Sequence, residues 1–324
     1  MTPNEPMTPV DDNIPEGADS DSAAPAPVET RCGFVALIGA PNAGKSTLLN
    51  QLVGAKISIV THKVQTTRAI MRGIALAGAS QLIFVDTPGI FRPKRRLDRA
   101  MVDTAWGGAK DADLVALLVD AERGLAGETA AILDKVAAVH QPRILILNKI
   151  DTVRRETLLE LAAKANATAR FERTFMISAL KGDGCADLVA YLAGAVPAGP
   201  WLYPEDQMSD LPLRALAAEI TREKLFLRLH DELPYASHVE TEQWKDQADG
   251  SARIEQTIYV ERESQKKIVI GRRGETIKAI SMAARAEIQE MAERPVHLFL
   301  FVKVRENWGD DPERYREMGI EFPK

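Results

Sequence analysis

The sequence predicts an α/β fold: a mostly parallel, doubly covered sheet followed by a smaller α+β unit. Three observations predict it. From Arg31 to about Ala195, short apolar β-rich runs alternate with helical patterns, the mark of strands joined by covering helices. Within that region, Gly39-Ala40-Pro41-Asn42-Ala43-Gly44-Lys45-Ser46 lies between a strand-like run, Phe34–Ile38, and a helix-like run, Thr47–Leu52. Beyond a proline-spaced break the order becomes helix, two alternating strands, two helices around a Gly-Arg-Arg-Gly turn, and a last strand.

Composition sets the outer limits. The 324 residues are 45% hydrophobic and 27% charged, room for two domains. No apolar run approaches the ~20 residues that span a bilayer. The N-terminus lacks the pattern of a signal peptide and is acidic where a transit peptide is basic, so the expected compartment is cytoplasmic. Cys32 and Cys185 share no metal or redox spacing and read as buried thiols in a reducing environment. Residues 1–30 hold seven acids, six of the eighteen prolines and no Lys or Arg, and read as a disordered arm. Without that arm, 41 basic face 39 acidic residues, so the net charge of −5 does not exclude an anionic partner.

Strands are expected near 33–38, 70–76, 81–86, 113–119, 143–148 and 173–177, and each chemical motif falls at the C-terminal end of one of them. Ligands of open α/β sheets bind at that edge. The octet 39–46 is a P-loop pattern, GxxxxGK[ST], in its required strand–loop–helix context. Such a loop, with Gly39, Ala40, Pro41, Asn42, Ala43, Gly44 and the following Thr47, turns backbone N–H groups around phosphate oxygens. Lys45 would reach the β- and γ-phosphates, and the Ser46 hydroxyl would ligate Mg²⁺. One random match in a chain of this size has a chance of about 1%.

The second motif, Asp86-Thr87-Pro88-Gly89, ends an apolar strand. Asp86 would hold Mg²⁺ through water, and Gly89 would offer its N–H to a γ-phosphate. The third, Asn148-Lys149-Ile150-Asp151, gives Asp151 the chance to accept from N1–H and the 2-amino group of guanine. Adenine leaves such acceptors unpaired at about 1–3 kcal/mol each. The fourth, Ser178-Ala179-Leu180, would lend a backbone N–H to guanine O6. Between the first two motifs, Gln65-Thr66-Thr67-Arg68 offers a threonine that would swing onto Mg²⁺ with the γ-phosphate. Thr67 is favoured over Thr66. GTP and GDP with Mg²⁺ are therefore the expected ligands, and Lys45, Thr67 and Gly89 the expected catalytic groups. Where Ras-like enzymes carry a water-orienting Gln after Gly89, this chain has Ile90 and Phe91, so slow intrinsic turnover is expected.

Residues 198–212 read as the linker between a part spanning 31–197 and one spanning 213–324. In the latter, Ile270-Gly271-Arg272-Arg273-Gly274 has the form of a KH domain's GXXG loop, which lets a single strand's backbone come close. Lys266, Lys267, Arg272, Arg273 and Lys278 surround one acid, Glu275, although residues 213–324 sum to −2. Phosphate contacts need only the local cluster. His230, His238 and His297 show no ligand spacing and read as structural; Arg92, Lys94, Arg95, Arg96 and Arg99 read as a solvated face.

The set GAPNAGKS, QTTR, DTPGI, NKID and SAL resembles the translation-factor-related GTPases with a hydrophobic residue after DxxG. Asn42 matches members that bind K⁺ beside the phosphates, which implies K⁺-stimulated hydrolysis with Asn42 as a ligand. With Leu233-Pro234-Tyr235 and the GRRG loop, residues 31–324 resemble the Era-type GTPases, which pair a P-loop GTPase domain with a type II KH domain. That resemblance implies binding of small-subunit ribosomal RNA near its 3′ end, a role in assembling that subunit, and peripheral association with the inner membrane; a monomer is the expected state. On the residues alone two other readings stay open. One is an RNA-binding scaffold in which the nucleotide is a structural ligand, barely hydrolysed. The other is an ATPase, which needs Asn148–Asp151 to be accidental.

Overall fold

The structure, a computed structural model, describes residues 29–61, 63, 66–68, 70–93, 95–230, 232–306, 308, 311–317 and 319–322. The acidic arm up to residue 28 lies outside the described residues, as do Gln65 and Lys94.

The first half runs β1 (Arg31–Gly39), α1 (Lys45–Val53), β2 (Met71–Ala77), β3 (Ser80–Asp86), α2 (Arg96–Asp111), β4 (Leu114–Asp120), α3 (Glu128–Ala137), β5 (Arg143–Asn148), α4 (Arg155–Thr168), β6 (Arg173–Ile177) and α5 (Cys185–Ala195). Its sheet has the order β2-β3-β1-β4-β5-β6. Every pairing is parallel except β2 with β3. β4, Leu-Val-Ala-Leu-Leu-Val-Asp, is buried at every position, the continuous apolar pattern of a strand covered on both faces. One face packs Val115, Leu117 and Val119 under α2, α3 and α4. The other packs Val35, Leu37 and Leu118 under α1 and α5, and Cys185 joins that core. Both cysteines are buried and free.

The second half runs α6 (Leu213–Arg228), β7 (Ser237–Asp246), β8 (Ala252–Val260), α7 (Glu263–Ile270), α8 (Glu275–Met291), β9 (Val296–Val304) and α9 (Pro312–Glu317). β7 and β8 are antiparallel; β8 and β9 are parallel. Helices α6, α7 and α8 close one face of this sheet through Phe226, Val269, Ile280 and Ile288.

Two connections differ from a free tether. Between α5 and α6, Ala198 bridges to Arg31 and Ser209 to Gly73. The fully buried Gln81 side chain accepts the N–H groups of Leu202 at 2.9 Å and Tyr203 at 3.0 Å and donates to Tyr203 O at 2.8 Å. The prolines here punctuate a strap laid along the sheet, because a buried amide needs those partners. At the other end, Tyr315, Ile320 and Phe322 pack against Leu97, Ala100 and Met101 of α2, and Arg96 lies 4.9 Å from the Phe322 ring.

Candidate functional site

The parallel strands deliver β1, β3, β5 and β6 to one edge, where the loops after them line a cleft of about 400 Å³. Residues from all five sequence motifs, including Pro41, Asn42, Thr67, Gly89, Asp151 and Leu180, face into it.

Gly44 caps α1 at φ 98°, and a Cβ there would sit 2.2 Å from Asn148 Nδ2, so only glycine fits. That closeness has a purpose: Asn148 Nδ2 donates to Ala43 O at 2.9 Å, tying the third motif to the first. Asn148 Oδ1 accepts from the N–H of Ala179 at 2.9 Å, tying in the fourth. The second motif is joined by Ile90 N–H donating to Gly39 O at 3.0 Å, while Thr87 Oγ1 donates to Leu37 O at 2.9 Å. Gly89 lies so near Pro41 that an added Cβ would meet its Cα at 3.0 Å. Ile90 itself is buried in the core and turns no polar group toward the cleft.

Lys45 Nζ donates to the carbonyls of Gly39 and Ala40, both at 3.1 Å. Burial, partly offset by Asp86, brings its pKa down to about 8. Asp86 is fully buried, and burial raises its pKa. Its Oδ2 accepts from Ser46 Oγ at 2.7 Å and Ser58 Oγ at 3.0 Å, with Thr67 Oγ1 at 3.5 Å; its Oδ1 has no partner. Thr67 Oγ1 also lies 2.9 Å from Ser46 Oγ. The expected metal ligands Ser46, Thr67 and Asp86 are thus together, whereas Thr66 Oγ1 turns away to Thr61 and the Lys63 carbonyl.

A buried carboxylate with one oxygen unsatisfied, beside two hydroxyls, is a fitting oxygen donor set for Mg²⁺. Among the described residues no group of three or more His, Cys, Asp or Glu could hold a metal ion. A dication here would need phosphate oxygens to complete its shell.

At the base end, Lys149 has φ 65° and its Nζ contacts Asp120 Oδ2 at 2.5 Å. The Ser178 hydroxyl, ahead of Lys181, holds the Asp151 carboxyl below the usual range. Asp151 is therefore an acceptor-only group, as two guanine N–H donors require. Ile150 opens the short 3-10 turn that carries it.

Sequence reasoning missed Ser58, Asp120 and Arg123. Asp120 ends an apolar strand as Asp86 does, a signal that was available. Arg123 lines the cleft beside Pro41. Ser58 carried no signal.

The GXXG turn joins α7 to α8. Gly271 and Gly274 have φ 75° and 79°, and Arg273 between them has φ 53°. Lys267, Arg272, Arg273 and Lys278 are exposed, while Lys266 and Ile270 are half-buried. Of the arginines read as a solvated face, Arg95 pairs with Glu232 at 2.9 Å and Arg96 covers Phe322. His238 stacks on Trp308. No described helix is long and apolar enough to cross a membrane.

Comparison with known proteins places these features in a family. The family model of the 50S ribosome-binding GTPases matches residues 34–149, and that of the KH domain matches residues 232–309. GTPase Era of Rhizobium meliloti is 72% identical over 94% of this chain and 97% of its own. GTPase Era of Agrobacterium fabrum is 68% identical over 97% and 98%. A solved structure of Era in complex with MgGDPNP and nucleotides 1506–1542 of 16S ribosomal RNA has a TM-score of 0.85 at 37% identity, covering 90% of this chain and 99% of that one. A solved structure of an Aquifex aeolicus Era variant bound to GDP·AlF₄⁻ matches with the same TM-score of 0.85. A P-loop cleft with the Asp151 carboxylate at its far end, a GXXG turn on a mixed three-stranded sheet and near-complete likeness to these proteins lead to one conclusion: the chain belongs to the Era family of GTPases.

Proposed function

We propose that this protein is a GTP-timed switch that binds small-subunit ribosomal RNA near its 3′ end and acts in assembling that subunit. Residues 31–197 form the GTPase part, 198–212 the connection and 213–324 the RNA-binding part, with the acidic residues 1–30 outside both. The observation that carries the reading is one cleft lined by all five guanine-nucleotide motifs. The likeness to an Era bound to nucleotides 1506–1542 of 16S ribosomal RNA supports the partner.

In this reading the N–H groups of Asn42–Thr47 wrap the phosphates. Lys45 exchanges the carbonyls of Gly39 and Ala40 for β- and γ-phosphate oxygens. Ser46, Thr67 and, through water, Asp86 would hold Mg²⁺, which would neutralise charge developing on the phosphate oxygens. The Gly89 N–H would meet the γ-phosphate, Asp151 would select guanine, and a backbone N–H of residues 178–180 would meet guanine O6. Asn42, in the left-handed region at φ 63°, would offer its amide oxygen as a K⁺ ligand. Lys266, Lys267, Arg272, Arg273 and Lys278 contact RNA phosphates, and Ile270, Gly271 and Gly274 let the strand lie close. The protein acts as a cytoplasmic monomer with weak peripheral attachment to the inner membrane.

The test is hydrolysis of GTP in K⁺ and in Na⁺, with and without an RNA of the 16S 3′ end. Turnover that K⁺ and RNA both raise is expected. Because Ile90 is buried where a water-orienting side chain would stand, absence of turnover under every condition would favour the scaffold with a structural nucleotide.

A further inference from the structure

The residues on either side of Thr67 are fastened to the second half of the chain. On one side, Thr66 O accepts from Arg222 Nη2 at 2.5 Å, and Arg222 belongs to α6. On the other, Arg68 donates Nη1 to Ser237 O at 2.8 Å and Nη2 to Pro234 O at 3.2 Å and Tyr235 O at 3.0 Å. Both guanidinium groups are almost fully enclosed, with Arg222 at 1% and Arg68 at 2% exposure. Both approach the Phe226 ring, Arg222 at 5.1 Å and Arg68 at 5.5 Å, and Arg68 also approaches Trp308 at 5.6 Å. The seam continues upstream, where Glu223 Oε1 accepts the Val60 N–H at 3.0 Å and Lys63 Nζ donates to Phe226 O at 2.5 Å.

We infer that Arg222 is a positioning residue for the nucleotide site, holding Thr66–Arg68 so that Thr67 meets Ser46 and Asp86. This rests on the reading of that cleft as a GTP site. The arrangement is not optimised for stability alone. Arg68 Nε and Arg222 Nη1 are buried without a partner, and the two like charges share one ring. Glu219, accepting from Arg222 Nε at 2.8 Å, is the acid that makes its burial tolerable. Arginine suits the task because its planar guanidinium, fixed at Nε by Glu219, aims Nη2 at the carbonyl in one direction, whereas a lysine would hold it as a movable point charge. The geometry ties two events to one peptide. When Thr67 is seated by the triphosphate state, Pro234–Ser237, which leads into β7, is held by the neighbouring Arg68. By reciprocity, a partner that shifts α6 or Pro234–Ser237 must alter how Thr67 is seated.

The experiment measures affinities of GDP and of a non-hydrolysable GTP analogue, together with kcat and KM, for Arg222→Gln, Arg222→Lys and Thr67→Ala. For Arg222→Gln, GDP affinity within about twofold of the parent is expected. Analogue affinity and kcat should each fall about tenfold, the effect of removing one buried charge-assisted hydrogen bond to the loop. Arg222→Lys should recover part of that activity. In a Thr67→Ala background the same substitution should add nothing, since its effect runs through Thr67. Equal weakening of both nucleotides, no weakening of either, or full additivity with Thr67→Ala would overturn the inference. Lys45→Ala, run alongside, separates the two levels: if it leaves nucleotide binding intact, the reading of the cleft fails first.

Discussion

At the scale of single residues, the site is decided by a few groups removed from water. Lys45 is enclosed and depends on the oxygens it meets. If Lys45 meets the β- and γ-phosphates as proposed, Lys45→Ala would remove two hydrogen bonds at about 1.5–3 kcal/mol each, so GTP affinity by calorimetry should drop about 100-fold or more. Asp151→Asn replaces one acceptor oxygen by a donor. GTP should bind about 10-fold more weakly, and xanthosine triphosphate, whose ring offers an oxygen at that place, should gain in competition. Much of this was legible in the sequence because the loop chemistry is local: six positions separate Gly39 from Lys45 and define the turn. Ser58 was not legible. Its hydroxyl reaches Asp86 across 28 positions through a segment with no motif of its own, held by Asn50 Oδ1 accepting the Ile57 and Ser58 N–H groups at 3.0 and 2.9 Å.

At the scale of elements, two joints carry the behaviour. The turn between α7 and α8 leaves no room at Gly271, where a Cβ would stand 2.2 Å from Thr276 Oγ1 at a φ of 75°. Gly271→Ala should therefore distort the turn and weaken RNA binding, while GTP affinity, measured on the same sample, stays at the parent value. The second joint is Glu223 on α6. Burial pushes its carboxyl up, but hydrogen bonds from Lys224, Lys56 and the Val60 N–H outweigh that and hold it below its ordinary value. Lys56 and Lys224, with Glu287 of α8 beside them, are the charges that face it. Its contribution is complete above the unfolded carboxyl value of about 4.3 and is lost as pH falls through the lower folded value. Acid should thus loosen α6 from residues 56–60 before it disturbs the parallel sheet, read as earlier hydrogen exchange at α6. The elements were legible from their patterns, since continuous apolar strands and 3.6-residue stripes are local. The strap of residues 198–212 was not, because its partner Gln81 is one polar side chain at the start of an otherwise apolar run, residues 82–85, and carries no motif.

At the scale of the whole molecule, charge is concentrated where it is used. The GXXG turn is basic although the half that holds it is net acidic. Binding of single-stranded RNA from the 16S 3′ end should weaken with salt. Substituting Lys267, Arg272 and Arg273 by Ala should flatten that dependence by about 0.7 in log–log slope for each phosphate interaction removed. Titrations at several salt concentrations measure it directly. The seam between the halves escaped the sequence entirely, because Arg68 and Arg222 bind main-chain carbonyls more than 150 positions away, and a carbonyl has no letter in the sequence.

The seating of Tyr315, Ile320 and Phe322 on α2 bears on how the protein is made. Those residues are synthesised long after the surface they cover, which lies in the first half. While translation is in progress, Leu97, Ala100 and Met101 lack the cover that residues 315–322 give them, so the helix beyond Gly89 is finished only once those residues have emerged from the ribosome. A copy clipped before Tyr315 would keep that greasy strip bare and should be drawn to chaperones or to its own kind.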